Sequence, residues 1–124
     1  MYPYDYTMRP PCPRAPLRIT NPLTSMVENT TGILDTGASV TVIPQSLEAR
    51  LRLTRQGSGT IVGIGGSRME VAVYVAHLTV AEITVGSSVV FALDQPNILL
   101  GRDLLNQFNI FLRGKAQTFD MAAA

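Results

Sequence analysis

The sequence Gly-Ile-Leu-Asp-Thr-Gly-Ala-Ser-Val-Thr-Val-Ile-Pro occupies residues 32–44 and places a single acid, Asp35, between an apolar run and a glycine. β-Branched residues resume strand character after the turn. Because a buried carboxylate is costly unless it is hydrogen-bonded or protonated, this stretch indicates a carboxyl that is tuned by its surroundings. The alternative is a tight turn in which Asp35 only bonds its own backbone, and the stretch alone favours neither.

The size and composition of the chain limit the possible functions. Its 124 residues and 13.4 kDa fit one domain that is marginal for enclosing an active site on all sides, so we expect oligomerisation. With 15% charged residues and a formal net charge of +1, the chain has no electrostatic footprint for nucleic acid or an anionic membrane. We therefore expect neither as a partner.

The scarcity of cysteine and histidine argues against disulfide and metal chemistry. One cysteine, Cys12, excludes an internal disulfide, and a single histidine, His77, leaves too few ligands for a Cys/His zinc site. We expect no metal and no cofactor. No apolar run approaches the roughly 20 residues that span a bilayer, and no signal-peptide core is visible, so a cytoplasmic location is expected.

The chain divides into an arm, a domain and a tail. Residues 1–16 hold five of the eight prolines and no periodic pattern, which predicts an extended, mobile N-terminal arm. Its tyrosines could alternatively pack on a neighbouring subunit. Residues 17–121 are assigned to one mainly β domain, and residues 122–124 to a fraying tail.

Most of the domain is predicted to be β-strand. Pro44 is typical of the first position of a helix, and a short helix or irregular turn is predicted over 45–53, with a second helical segment over 102–108. Alternating apolar residues predict a hairpin over 60–74 with a glycine-rich tip at 63–66. The other strands are predicted at 17–20, 23–27, 75–85, 88–93, 98–100, 109–112 and 117–121, with turns at 28–31 and at Gly86-Ser87.

Two other chemistries have weak support. Gly57-Ser58-Gly59 with Gly63 nearly spells a dinucleotide-binding loop, but such a loop must open a helix and the following sequence is β-rich. His77 has no nearby cysteine and no serine in a nucleophile-elbow sequence, which argues against a Ser/His or Cys/His hydrolase. A lone histidine in a strand is more often structural.

Three pieces taken together are far more specific. They are the Asp35-Thr36-Gly37-Ala38 motif, the glycine hairpin Ile61-Val62-Gly63-Ile64-Gly65-Gly66, and the segment Asn97-Ile98-Leu99-Leu100-Gly101-Arg102-Asp103-Leu104-Leu105. In this order and at these separations they resemble the retropepsin family, the single-domain aspartic proteases of retroviruses and their bacterial relatives. The resemblance covers residues 33–108, and residues 1–16 have no counterpart in it.

The resemblance implies a closed, β-barrel-like acid-protease fold with one lobe per subunit and a homodimer whose active site lies on the two-fold axis. The chain carries one Asp-Thr-Gly motif, so the second acid must come from a second copy. Two adjacent carboxyls share one proton and titrate as a pair. The ionised one activates a water that attacks the peptide carbonyl, and the protonated one stabilises the oxyanion.

The resemblance also assigns roles to individual residues. The catalytic group is Asp35, Thr36 and Gly37, with the Thr36 hydroxyls linking the two motifs. The hairpin at 63–66 corresponds to the family's flap, although an ordinary hairpin turn is the alternative. Apolar neighbours are expected to flank the cut in a peptide substrate that adds as a β-strand. The expected substrate-binding residues are Ala38, Ser39, Val42, Val62, Gly63, Ile64, Gly65, Gly66 and Leu99.

Two departures from the family pattern affect the expected support of the site. Arg102 is expected to tie the active-site loop to the dimer, but where many retroviral members carry an acid that contacts this arginine, this chain has Ser39. Asp103 is the local alternative partner of Arg102. The terminal segments also differ, so an interface built by residues 117–121 is only an expectation. The rival to an aspartic endopeptidase is a catalytically silent dimerisation or peptide-binding module.

Overall fold

The computed structural model describes residues 1–123 and confirms a mainly β fold, with ten strands and two short helices in that part of the chain. The strands are β1 (Tyr2–Asp5), β2 (Cys12–Thr20), β3 (Val27–Leu34), β4 (Val42–Pro44), β5 (Arg55–Val62), β6 (Arg68–Val80), β7 (Ile83–Leu93), β8 (Leu99–Leu100), β9 (Phe108–Arg113) and β10 (Thr118–Ala123). The helices are α1 (Gln45–Leu51) and α2 (Arg102–Leu105). A 3-10 turn covers Ile64–Gly66.

Six of the strands close into a ring, which confirms the expected barrel-like fold. The hydrogen-bonded order is β6-β7-β4-β8-β3-β2, and β2 pairs again with β6. Strand β8 lies between β3, which runs parallel to it, and β4, which runs antiparallel. The short strand β8 therefore holds the ends of β3 and β4 together, and the Asp35 loop connects those ends.

Alternation along the long strands places the core inside the ring. In β2 the residues Ala15, Leu17 and Ile19 are buried, whereas the two residues between them are exposed. The same period of two in β6 buries Ala76, Leu78 and Val80 and leaves His77 exposed. Leu47 and Leu51 of α1 pack on this core, as the helical spacing predicts. His77 therefore has no role in the core.

The prediction of a mobile arm over residues 1–16 is wrong, because most of this segment belongs to the sheet. Strand β1 pairs with both β10 and β2, and β2 begins at Cys12. The Tyr2 and Tyr4 rings lie 5.4 and 6.3 Å from the ring of the fully buried Phe119. These tyrosines therefore pack within their own chain.

An ion pair closes the β1–β2 hairpin. The Asp5 carboxylate accepts hydrogen bonds from the Thr7 hydroxyl at 2.6 Å and the Thr7 N–H at 2.9 Å, and it lies 2.8 Å from Arg14 Nε. The two bonds from Thr7, with the Arg14 charge, hold the pKa of Asp5 below its ordinary value. The pair therefore stays charged at mildly acidic pH.

Two predicted turns are also misplaced. Residues 28–31, which were predicted to be a turn, lie in β3. The turn instead lies at residues 23–26, where a strand was predicted. The turn between β6 and β7 lies at Ala81 and Glu82, with φ of 49° and 68°, rather than at Gly86-Ser87. Gly86, with φ of 89°, instead accompanies a shift of register inside β7.

The C-terminal hairpin of β9 and β10 confirms the two predicted closing strands. Ala122 and Ala123 pair with Asn109 and Phe108, so the prediction of a fraying tail is wrong for these two residues. Ala124 lies outside the described residues. In the part of the chain that the structure describes, no helix has the length and apolarity needed to cross a membrane.

Asn21 joins the β2–β3 turn to the end of α1. Its side chain is 2% exposed, donates to the carbonyls of Leu51 at 2.9 Å and Arg52 at 3.0 Å, and accepts from the Leu23 N–H at 2.9 Å. The carbonyls that α1 cannot satisfy at its C-terminus are thereby paired.

We expect Asn21→Ala to lower the free energy of unfolding by about 1–3 kcal/mol. The substitution leaves the Leu51 and Arg52 carbonyls and the Leu23 N–H without their hydrogen-bond partner. Urea denaturation followed by circular dichroism measures the change as a shift of the midpoint. The matched control is Asn29→Ala, which truncates an exposed asparagine on β3 and should stay within about 0.5 kcal/mol of the parent protein. Equal midpoints for the two variants would contradict the capping role.

Candidate active site

The Asp35 loop leaves the end of β3 directly above β8. The Asp35 N–H donates to the Leu100 carbonyl at 3.0 Å, which fixes the start of the loop on the buried strand. Inside the loop, Asp35 Oδ1 accepts the Gly37 N–H at 3.0 Å, and the Ala38 N–H donates to the Asp35 carbonyl at 3.1 Å. The acid is half-buried, and Thr36 and Gly37 are exposed. The motif therefore presents its outer face to solvent in the single chain.

A close backbone approach joins this loop to the start of α2. A β-carbon at Gly101 would lie 2.4 Å from the carbonyl carbon and oxygen of Val40. The Arg102 N–H donates to the Ala38 carbonyl at 2.9 Å, and the Asp103 N–H donates to the Ser39 carbonyl at 3.3 Å. Only glycine at 101 permits these bonds, so the Gly101-Arg102 element supports the acid from below.

A buried hydroxyl reinforces the same junction. Thr41 is 2% exposed, and its Oγ1 donates to Asp103 Oδ1 at 2.8 Å and accepts the Gly101 N–H at 3.1 Å. The Thr41 N–H also donates to Asp103 Oδ2 at 3.1 Å. Asp103 thus supports Thr41, and the prediction that it could pair with Arg102 is wrong. Thr41 was missed because its partner lies 62 residues away in the sequence.

Arg102 contacts the Asp-Thr-Gly motif itself. Its Nη1 donates to the Thr36 carbonyl at 2.8 Å, and the side chain is otherwise exposed. Among residues 1–123, no carboxylate lies within ion-pair distance of its guanidinium. The expected contact between Arg102 and the active-site loop is therefore present, without the acid that often accompanies it in the retropepsin family.

The glycine-rich hairpin tip confirms the predicted turn between β5 and β6. The Gly63 N–H donates to the Ser67 carbonyl at 2.8 Å, and Gly65 and Gly66 have φ of 84° and 82°. These values favour glycine. The Ile64 side chain at the tip is fully exposed, and Val62 is 57% exposed. An apolar tip that projects into solvent has area available to contact another molecule.

A cleft of about 310 Å³ lies between the Asp35 loop and the β5–β6 hairpin. The predicted residues that line it are Gly37, Ala38, Ser39, Val42, Val62, Leu99 and Arg102. The structure does not place the predicted catalytic residues Asp35 and Thr36 in its lining, nor the predicted tip residues Gly63, Ile64, Gly65 and Gly66. The cleft is also lined by residues that were not predicted from the sequence, namely Val40, Thr60, Ile61 and Leu93. The side chains around the cleft are mostly apolar.

No group of three or more His, Cys, Asp or Glu side chains is arranged to hold a metal ion within residues 1–123. The chemically active group of this arrangement is the Asp35 carboxylate, and its Oδ1 accepts a hydrogen bond from its own loop. The second oxygen, Asp35 Oδ2, has no hydrogen-bond partner among the described residues. It is available to a water or to a second acid.

Comparison with known proteins supports the family that these motifs indicate. A family model described as "Aspartyl protease" matches residues 18–104, which include the Asp35 motif, the hairpin and the Gly101-Arg102 element. A search of curated protein sequences found no match.

Solved structures support the fold. The chain is similar to one titled "Structure of the foamy viral protease-reverse transcriptase in complex with RNA/DNA hybrid", with a TM-score of 0.60 and 16% identity. The match covers 79% of this chain and 12% of the foamy viral chain. At this identity the similarity shows the fold alone. With the family model spanning most of the chain, the protein belongs to the aspartyl protease family and has a retropepsin-like fold.

Proposed function

We propose that the protein is an aspartic endopeptidase that acts as a homodimer, with Asp35 of each copy contributing one carboxyl to a shared site. The observation that carries the proposal is the position of Asp35. The loop that carries Asp35 lines an apolar cleft through Gly37 and Ala38, and this loop is fixed by Leu100 and by the Gly101-Arg102 element. A second copy across a two-fold axis would supply the second acid that the motif requires.

The proposed reaction follows from placing two carboxyls side by side. Two carboxyl groups at short range cannot readily both ionise, because their negative charges repel, so the pair holds one proton. The ionised carboxyl takes a proton from a water as that water attacks the peptide carbonyl. The protonated carboxyl stabilises the developing oxyanion, and its proton later passes to the leaving amine. The peptide bond breaks without a covalent enzyme intermediate.

The cleft supports an extended polypeptide as the substrate. Val42, Val62 and Leu99 give it apolar walls, which suit apolar side chains on either side of the cut. The hairpin tip would act as a flap that closes over the substrate, with the exposed Ile64 excluding water. Glycine at 65 and 66 allows the tip to change backbone conformation during closure.

The experiment that tests the activity is digestion of an unfolded protein at mildly acidic pH, with the products identified by mass spectrometry. The chain should generate peptides, whereas Asp35→Ala should not. Equal product formation by both proteins would mean that the activity does not depend on Asp35. A chain that binds peptides but releases no products would instead be a binding module.

The free edge of β9 is the proposed dimer interface. In the described sheet, β9 is an outermost strand, and β10 is already paired on both sides, by β9 and by β1. Phe111 and Leu112 of β9 are 61% and 52% exposed. In the chain, the short helix α2 lies between β9 and the junction of Gly101 with the Asp35 loop. Antiparallel pairing of two copies of β9 has two-fold symmetry and would bring the two junctions towards one axis.

We expect Leu112→Lys to weaken the dimer by about tenfold or more, because it opposes like charges across the axis and removes apolar contact. A lysine on an edge strand also discourages strand pairing. Sedimentation velocity at several concentrations measures the dissociation constant. The control is Leu23→Lys, a change at a leucine that is 76% exposed in the β2–β3 turn. An unchanged dissociation constant for Leu112→Lys would exclude this edge.

A further inference from the structure

The cleft contains an unbalanced positive charge. Of the residues that line it, Arg102 alone is charged, and the rest are glycine, apolar side chains, Ser39 and Thr60. Neither of the two acids closest in sequence to this junction lies within ion-pair distance of Arg102. Asp103 is engaged by Thr41 and by the Leu104 N–H at 2.8 Å, and Asp35 does not line the cleft. Nothing in the described cleft neutralises the guanidinium.

Arg102 also keeps most of its hydrogen-bonding capacity. A guanidinium has five N–H donors, and the Thr36 carbonyl takes one of them. Arg102 is exposed and lines the cleft, so its remaining donors are available to a substrate that fills the cleft. A planar fork of donors binds a carboxylate with two parallel hydrogen bonds.

We propose that Arg102 recognises an acidic side chain of the substrate, so that the preferred substrates are polypeptides with Asp or Glu near an apolar cleavage site. The inference rests on the proposed peptidase function, because it names the substrate class of that site. Two-fold symmetry would place one Arg102 on each side of the scissile bond. An acidic residue is therefore accepted on either side.

Ser39 provides a direct way to test this charge. Residues 38 and 39 are bonded through their carbonyls to the N–H groups of residues 102 and 103, and Ser39 lines the cleft beside Arg102. Ser39→Asp would give Arg102 an acid within its own chain. The introduced carboxylate would then neutralise Arg102 and repel the carboxylate of the substrate.

The test uses peptides with an apolar cleavage site in which Glu, Gln or Lys is placed at each flanking position in turn. For the parent chain we expect at least one position where Glu exceeds Gln in kcat/KM by about tenfold, with Lys lowest, since charge-assisted hydrogen bonds are stronger than neutral ones. The ratio should shrink at high salt. Ser39→Asp should abolish or reverse the ratio, whereas the neutral control Ser39→Asn should keep it.

Binding of the same peptides to Asp35→Asn by fluorescence anisotropy separates this inference from the proposed function. One outcome is that the parent chain cleaves no peptide, while Glu peptides still bind about tenfold tighter than Gln peptides. In that case the peptidase proposal fails and Arg102 remains a carboxylate-binding site. If peptides are cleaved or bound without a Glu preference at any position, Arg102 does not read the substrate. A Glu preference that survives in Ser39→Asp also overturns the role of Arg102.

Discussion

The Asp35→Asn variant is expected to hydrolyse peptides at least about 10³-fold more slowly than the parent chain. Asparagine cannot take a proton from water or donate one to the leaving amine, and general acid–base catalysis alone contributes about 10²- to 10⁴-fold. In a homodimer the substitution removes both carboxyls of the site at once. The rate of cleavage of an unfolded protein, measured at equal enzyme concentration, gives the loss directly.

The fold should survive this substitution, which makes the result interpretable. An asparagine side-chain oxygen can still accept the Gly37 N–H that Asp35 Oδ1 accepts at 3.0 Å. The matched control is Glu82→Gln, which removes an exposed carboxylate at the turn after β6, at the far end of that strand from the glycine-rich tip. Glu82→Gln should retain the parent rate. An Asp35→Asn variant that is folded and as active as the parent would exclude Asp35 as a catalytic residue.

The second large effect is expected at Gly101. A β-carbon there would lie 2.4 Å from the Val40 carbonyl group and 2.9 Å from the Val40 nitrogen, and backbone atoms cannot rotate out of the way. Gly101→Ala must separate the Asp35 loop from α2, which stretches the bonds that Arg102 and Asp103 donate to residues 38 and 39. We expect a loss of about 3 kcal/mol in the free energy of unfolding, the upper end for overpacking.

Urea denaturation measures this loss, and Gly114→Ala is its control. A β-carbon at Gly114 would meet no atom within 4 Å, so the same chemical change should leave the midpoint almost unaltered. Failure of Gly101→Ala to fold would agree with the clash. A Gly101→Ala variant within about 0.5 kcal/mol of the parent would show that the junction between Val40 and Gly101 can relax.

The parts of the fold that the sequence predicts are those with local signatures. Glycine at 65 and 66 has positive φ at a hairpin tip, and the Leu47 and Leu51 spacing matches the buried face of α1. The Asp-Thr-Gly motif likewise lies where a strand ends. Each of these features depends on a few neighbouring residues, so composition and period suffice to find them.

The errors concern features that depend on distant partners. β1 is stabilised by pairing with β10 at the other end of the chain, and nothing in its proline-rich neighbourhood signals this. The buried alternation of Ala15, Leu17 and Ile19 was the available signal for β2. The turn at Ala81-Glu82 lacks the glycine or asparagine that usually marks positive φ, so the turn was wrongly predicted at Gly86-Ser87.

The candidate site divides in the same way. Most of the cleft residues that were predicted lie in the three motifs, whereas Val40, Thr60 and Leu93 lie outside them and enter the lining because the fold brings the Asp35 loop, β5 and β7 together. The pairing of Thr41 with Asp103 likewise joins the Asp35 loop to α2, which is far away in sequence. Local sequence identifies the acid, and the closed ring of strands determines what surrounds it.

The central claim is that Asp35 is half of a site and that the other half is its own copy. The direct measurement is the activity of parent chain mixed with Asp35→Asn under conditions that allow subunits to exchange. A shared site predicts that activity follows the square of the parent fraction, so an equal mixture keeps about one quarter of the activity of undiluted parent chain. Activity that instead falls in proportion to the parent fraction, to about one half, would show that each chain carries a complete site and would contradict the account.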